Sequence, residues 1–262
     1  MTSISFIIIT KGDCDDSINL CIDSIEQLSI PNYDVIIVGG ETSTINRKNT
    51  IHIPFIETSA VTELNKKKNA GSRYSQKEVL VVMHDYHVFD SDWYIEFEKF
   101  GTDWDICVQQ VITNKTNGSK RGNGWRILPV PGYPELSECM TIPWDIDHFI
   151  PYMEIQGAYW VIKREKMLEE PLNDTLRSCE FEEKDWSRRV VPGFEGNTKG
   201  FKIVANPSCK VRLSKWKPPY PGDPNFESIE RSLNWLWDEI RNGIRRPGTY
   251  LYDSKTHKVI YY

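Results

Sequence analysis

Apolar positions along the chain come in blocks, and the blocks change period. Residues 4–9 form a β-rich apolar run broken only by Ser5, which predicts a first strand. A polar break at Thr10, Lys11, Gly12 and Asp13 comes next. Apolar residues then recur at Ile18, Cys21, Ile22, Ile25 and Leu28, the spacing of one helical face, with Asp15 or Asp16 placed to cap it and Pro31 to end it. Residues 35–38 read as a second buried strand closed by Gly39 and Gly40, and residues 51–56 as a third, edge-like strand carrying Pro54. A helix over residues 64–75 bears Lys66, Lys67, Lys68, Asn69 and Gly71. Residues 79–83 are apolar throughout, as in a strand covered on both faces. Strand, helix, strand, strand, helix, strand predicts a parallel sheet.

The 79–83 strand ends in His84, Asp85, Tyr86 and His87. Open α/β sheets place ligands at the carboxyl ends of central strands. Two imidazoles and a carboxylate there suit a divalent cation or a ribose, and a polar turn after a core strand is the plainer alternative. Further on, a strand over 106–112 leads into a polar loop with Asn114, Asn117, Gly118, Gly122, Asn123 and Gly124. Trp125, Tyr133 and Trp144 punctuate the chain beyond that loop, as ring-stacking surfaces or as packing beneath it. Strands are predicted over 155–164 and 201–205, with an acid-rich helix start between them. Pro218, Pro219, Pro221 and Pro224 make a stiff connector. Residues 226–244 then carry Ile229, Leu233, Leu236, Trp237, Ile240 and Ile244 on one helical face.

Composition narrows the partners. With 32 basic against 37 acidic side chains the net charge is −5, which offers no global attraction to nucleic acid or acidic lipid. The longest early apolar run is too short for a signal peptide or a membrane span. Cys14, Cys21, Cys107, Cys139, Cys179 and Cys209 have no CxxC or zinc spacing. In a chain read as leaderless they are expected as free thiols in a reducing compartment, and the protein as cytoplasmic. The loop after the first strand is neither GxGxxG nor a P-loop.

Four segments in order carry a family resemblance: FIIIT with its short polar loop, YDVIIVGG, KKNAG, and VVMHDYHVFDSDW with Trp93 seven positions past Tyr86. Together they resemble the nucleotide-sugar-binding half of GT-A glycosyltransferases, family 2 above all. IQGAYWVIKR resembles that family's second conserved strand, and CEFEEKDWSRRV its acidic segment holding the general base. The resemblance implies an α/β, GT-A-like (Rossmann-like) fold, with a mostly parallel central sheet flanked by helices and a C-terminal helical extension. Residues 1–215 would form the catalytic domain, 1–100 its nucleotide-sugar half and 101–215 its acceptor half, with 216–262 as connector, helix and tail.

For function, the resemblance implies transfer of a hexose from a nucleotide diphosphate sugar, UDP favoured, to a hydroxyl of a glycan or glycoconjugate, with inversion. A nucleotidyltransferase and a non-catalytic binding module are the alternatives. By the match, Thr10, Lys11, Gly12, Gly39, Lys68, Asn69, His84, Asp85 and Tyr86 face the donor. Gly157, Trp125 and Trp160 face the acceptor, and Glu183, with Glu182 and Asp185 behind it, supplies the base. The family's metal-binding carboxylate falls on Tyr86, which leaves Asp85 with His87 as the metal candidates. Lys210 and Arg212 stand where a histidine is expected and are assigned to the diphosphate. Either manganese (or magnesium) assists, or these cations replace the metal.

Overall fold

The computed structural model describes residues 2–12, 15–40, 45–58, 62–114, 120–121, 124–126, 141–147, 149–176, 182–192, 200–214, 242, 250–253 and 258–261. In chain order the first half reads β1 (Ile4–Ile9), α1 (Asp15–Gln27), β2 (Tyr33–Val38), β3 (Thr50–Ile53), α2 (Leu64–Tyr74) and β4 (Val79–His84). Then come β5 (His87–Phe89), α3 (Trp93–Phe100) and β6 (Ile106–Asn114), followed by the short strands β7 (Lys120–Arg121), β8 (Gly124–Arg126) and β9 (Thr141–Pro143). The second half closes with β10 (Tyr159–Lys163), α4 (Arg164–Glu169), α5 (Glu182–Val190) and β11 (Ile203–Leu213), and a hairpin of β12 (Tyr250–Asp253) with β13 (Lys258–Tyr261).

The main sheet runs β3-β2-β1-β4-β10-β6-β11-β5, with β7 beside β6. Its first four strands are parallel. β10 enters antiparallel between β4 and β6, and β11 lies parallel to β6 and antiparallel to β5. The chain winds from β1 outward to β2 and β3, then returns to β4 on the other side. That reversal opens a crevice between the carboxyl ends of β1 and β4.

Both faces of the sheet are covered, which explains the uninterrupted apolar runs. Ile4, Phe6 and Ile8 of β1 face α1 and α3, in one core with Ile18, Ile22, Ile25, Trp93 and Phe97. Ile7 and Ile9 face the other way, in a second core with Trp160, Met167 and Trp186. The α2 helix packs on this second side with an inward face that is mostly polar: Asn65, Lys67, Lys68, Asn69 and Ser72 are all buried. Gly71 makes the fit possible. A methyl group there would lie 2.5 Å from Ile7 Cγ2 and 3.1 Å from Val38 Cγ2.

Several sequence expectations change. The strand expected over 201–205 runs from Ile203 to Leu213, through an irregularity between Asn206 and Lys210, so it includes Lys210 and Arg212. β5 and α3, both short, were not expected. The 226–244 helix lies outside the described residues. Cys21, Cys107 and Cys209 are buried free thiols, and Cys14, Cys139 and Cys179 lie outside the described residues.

Gly71→Ala is expected to destabilise the protein by about 1–3 kcal/mol, because the added carbon overpacks the contact of α2 with β1. Urea unfolding measures it. An unchanged midpoint would mean that α2 can lift from the sheet at no cost.

Candidate active site

The crevice at the β1/β4 reversal is built from backbone held unusually close. Thr10 donates from Oγ1 to Asp85 Oδ2 at 2.7 Å, and the same oxygen accepts from the Gly12 N–H at 3.0 Å. The Thr10 carbonyl accepts from Lys67 Nζ at 2.8 Å, and that ammonium also pairs with Glu57 at 2.5 Å. Gly39, at φ 136°, passes so near that a Cβ would stand 1.9 Å from the Thr10 oxygen. Gly12, at φ 84°, would place a Cβ 2.9 Å from Gly40 Cα. Glycine is therefore needed at both positions on steric and conformational grounds. Lys11 and Gly12 are exposed at the mouth, and Asp85 is half-buried.

The HDY segment is knitted into the adjoining strand. The His84 N–H donates to the Ala158 carbonyl at 3.1 Å, which sets Gly157 and Ala158 beside the crevice. A Cβ on Gly157 would stand 3.4 Å from Glu183 Cβ and 3.7 Å from its Oε2. The absent side chain is what leaves that flank of Glu183 uncovered. Ser187 locks the arrangement from below: its Oγ donates to the Glu183 carbonyl at 2.7 Å and accepts from the Ile155 N–H at 2.9 Å. Glu182, Glu183 and Asp185 all lie in the first turn of α5, where the helix dipole favours negative charge.

Glu182 is buried, and burial is the main cause that raises its pKa, with the charge of Glu183 and side-chain hydrogen bonding to it acting the same way. Lys68 opposes the rise. That lysine is fully buried, with Nζ 5.0 Å above the Trp160 ring and no hydrogen-bond partner among the described residues. Burial brings its pKa down to about 8, against the attraction of Glu182 and Glu183. Asp185, the third acid of the turn, is taken up by Arg189, whose Nε lies 3.1 Å away.

The structure redistributes the expected roles. Thr10, Lys11, Gly12, Gly39, His84 and Asp85 gather at the crevice. Asn69 does not: its amide donates to the Leu172 carbonyl and to Asp174 and accepts from the Leu172 N–H, bolting α2 to the chain after α4. Lys68 does not join the crevice residues either: its Nζ lies over the Trp160 ring. Tyr86 is buried and stacks on His87 with centroids 4.8 Å apart, its hydroxyl 3.4 Å from His84 Nδ1. His87, a metal candidate, is a core residue: fully buried, stacked at 5.4 Å on Tyr159 and bonded through Nδ1 to the His84 carbonyl. Trp160 is also core, packed at 5.4 Å against Trp186, so its ring is covered by protein. Trp125 sits in β8 opposite Ile142, and its side chain lies outside the described residues. Arg212 gives both ends of its fork to Asp90, at 2.5 and 2.7 Å, and Lys210 lies two residues before it on the same face of β11.

Lys67, Ser187 and Ser214 were missed. Ser214 donates from N and Oγ to the Tyr86 carbonyl, at 2.8 and 3.2 Å, and so fastens the end of β11 to the crevice. Among the described residues no three His, Cys, Asp or Glu side chains cluster as metal ligands.

No family model and no curated protein matches the chain. Solved structures do match in fold. S. aureus TarS, residues 1–349 in complex with UDP-GlcNAc, aligns at 11% identity and TM-score 0.55 over 88% of this chain and 67% of its own. S. aureus TarS aligns at 12% identity and TM-score 0.54, with 88% and 40% covered. GalNAc-T7 with UDP, GalNAc and Mn2+ aligns at 13% identity and TM-score 0.51, with 92% and 50% covered. The chain thus spans about two thirds or less of the structures it resembles. With the sheet order, these likenesses establish a GT-A fold.

Lys68 makes stability depend on pH. Its folded-state pKa of about 8 lies below the ordinary lysine value of 10.5, so the unfolded chain binds more protons between those limits and stability rises with pH across them. Urea unfolding at pH 7.5 and pH 10 should show wild type gaining about 1–3 kcal/mol relative to Lys68→Met over that interval. Parallel behaviour of the two proteins would mean that Lys68 is not desolvated.

Proposed function

We propose that the chain transfers a hexose from a nucleotide diphosphate sugar, UDP-linked in the first instance, to an acceptor hydroxyl. The observation that carries this reading is the adjacency of two carboxylates of different kind. Asp85 lies in the switch-point crevice where such folds receive a nucleotide. One strand over, through the His84–Ala158 bond, the Gly157 gap bares Glu183. TarS with UDP-GlcNAc and GalNAc-T7 with UDP and GalNAc support the donor class, since both share the fold.

In the reaction the acceptor oxygen attacks the anomeric carbon, and Glu183 takes the hydroxyl proton. The bond from that carbon to the diphosphate oxygen breaks, and the nucleoside diphosphate leaves. A single displacement of this kind inverts the anomeric centre. A carboxylate suffices as base because the hydroxyl grows acidic only as the new bond forms. Asp85 would hold the ribose, with the Gly12 and Lys11 loop along the phosphates. Lys11 is an exposed ammonium beside Thr10, placed to meet the leaving charge.

GalNAc-T7 carries Mn2+, but the described donor set here does not fit a protein-held divalent ion. Hard cations want several oxygens, and the crevice offers the Asp85 carboxylate, already bonded to Thr10. His87 is sealed in its stack. Any ion would have to arrive on the donor.

Calorimetry with UDP-GlcNAc and UDP-GalNAc in Mn2+, Mg2+ or EDTA tests the donor site. Asp85→Asn should weaken binding roughly 10–100-fold, about 1–3 kcal/mol for a lost charged hydrogen bond. Unchanged affinity with the fold intact would remove Asp85 from the site.

Glu183→Gln keeps the shape and removes the base. Turnover should fall by about a hundredfold or more, with donor affinity held. Nucleotide-sugar binding with no turnover in wild type would make the chain a binding module on a transferase fold.

A further inference from the structure

We propose that Lys67 and Glu57 form a buried latch that positions Asp85 for the donor: the pair fixes the Thr10–Lys11 peptide, and Thr10 holds the Asp85 carboxylate. The inference rests on the reading of the β1–β4 crevice as the donor site. Lys67 is a positioning residue, since it acts through Thr10.

The contacts run in one chain. Lys67 is 1% exposed, and its Nζ lies 2.8 Å from the Thr10 carbonyl oxygen, 2.5 Å from Glu57 Oε1 and 5.5 Å from the centre of the Phe55 ring. A buried ammonium persists where acceptors, opposite charge and a ring face answer it, and these three do. Room for it comes from Gly39, where a Cβ would stand 3.3 Å from Nζ as well as 1.9 Å from the Thr10 oxygen. Glu57 is held at its other oxygen by the Glu63 N–H, at 2.8 Å, one residue before α2 begins. Asn65 and Asn69 bolt the helix itself to residues 172–174. The ammonium is therefore held from the helix and from the segment after β3 together.

What the latch fixes is the peptide after β1. The Thr10 carbonyl oxygen lies in the plane of the Thr10–Lys11 peptide, so its bond to Nζ sets the direction in which the chain leaves the strand. That direction brings the Gly12 N–H to Thr10 Oγ1 at 3.0 Å, with Gly12 at φ 84°. The same hydroxyl donates its proton to Asp85 Oδ2 at 2.7 Å. A hydroxyl has one proton to give, and the bond it accepts from Gly12 helps aim that proton at the carboxylate. Asp85 is thus oriented by a relay that begins at a side chain with almost no surface of its own. An apolar residue in place of Lys67 would release the 10–11 peptide, and Asp85 would then sample orientations that do not meet the donor's ribose.

Two measurements test the latch, one of them without any nucleotide. NMR reads amide exchange at Gly12, by magnetisation transfer from water, and at Val82 in the centre of the sheet, by deuterium exchange. In Lys67→Met the Gly12 amide should exchange about tenfold faster, as it should in Thr10→Val, while Val82 follows only the global stability. Calorimetry with UDP-GlcNAc supplies the other readout. Lys67→Met should weaken binding about tenfold, and the double variant with Asp85→Asn should bind no more than about twofold worse than Asp85→Asn alone, because the relay ends at that carboxylate. A lysine that only stabilised the helix would give losses that multiply. Should Lys67→Met fail to fold, Glu57→Gln removes the counter-charge from the half-buried side of the pair, and the same exchange and the same cycle are read with it. Gly12 exchange equal to wild type, or losses that multiply with Asp85→Asn, overturn the proposal. If wild type binds no nucleotide sugar, the donor reading fails by itself, and the Gly12 amide still decides whether Lys67 and Glu57 hold the loop.

Discussion

Everything near the crevice depends on a helix that cannot be held by hydrophobic burial. The inward face of α2 carries Asn65, Lys67, Lys68, Asn69 and Ser72, and each buried polar group needs a partner or a compensating charge. The sheet gives α2 shape complementarity at Gly71 and little else. Its hold on the protein is a set of directed bonds: Asn65 and Asn69 to residues 172–174, and Lys67 to Thr10 and Glu57. Such bonds fix register better than apolar contacts do, because a slip of one residue would orphan several of them together.

That register is what the site uses. Lys67 and Lys68 are neighbours in sequence and project from one helix about 100° apart. One therefore reaches the β1 loop and the other the β10–α5 contact. Lys67 pulls the Thr10 carbonyl inward, and the Thr10 hydroxyl then meets Asp85. Lys68 ends over the Trp160 ring, which packs on Trp186 of α5. A single helix so touches both the β1–β4 crevice and the β10–α5 contact, with Ser187 and the His84–Ala158 bond linking the two on the sheet side.

Periodicity made the first half of the fold legible. β1, α1, β2, α2 and β4 fall where apolar blocks and spacing put them, because strands covered on both faces read as continuous apolar runs. The antiparallel insertion of β10 was not legible, since a parallel and an antiparallel buried strand have the same composition. β5 and α3 were hidden for another reason: Phe89, Trp93 and Phe97 are spaced four apart and serve the core, but the segment opens with charged and polar residues that looked like a loop. At the site, motif likeness placed Asp85 and the α5 acids near each other without contact information. For Asn69, His87, Trp160 and Arg212 it could not show the protein partners the fold gives them, for one shared cause. A polar or aromatic residue near a motif looks available until its partners are known, and Leu172, Tyr159, Trp186 and Asp90 are 103, 72, 26 and 122 residues away in sequence.

Charge is distributed unevenly between the two faces of the sheet. The face toward α1 and α3 is aliphatic and aromatic, and its thiols Cys21, Cys107 and Cys209 are driven by burial away from ionisation. On α2 and α5 the charged side chains Lys67, Lys68, Glu182 and Lys184 are buried. Buried ionisable groups destabilise a fold unless they are matched, and the match here is spread across three elements that are distant in sequence. An apolar helix in place of α2 would pack more tightly. It would also leave the Thr10 carbonyl without the Lys67 ammonium that anchors it. The polar inner face of α2 therefore trades tight packing for a fixed register against the β1 loop and residues 172–174, a local departure from the apolar pattern of its neighbours.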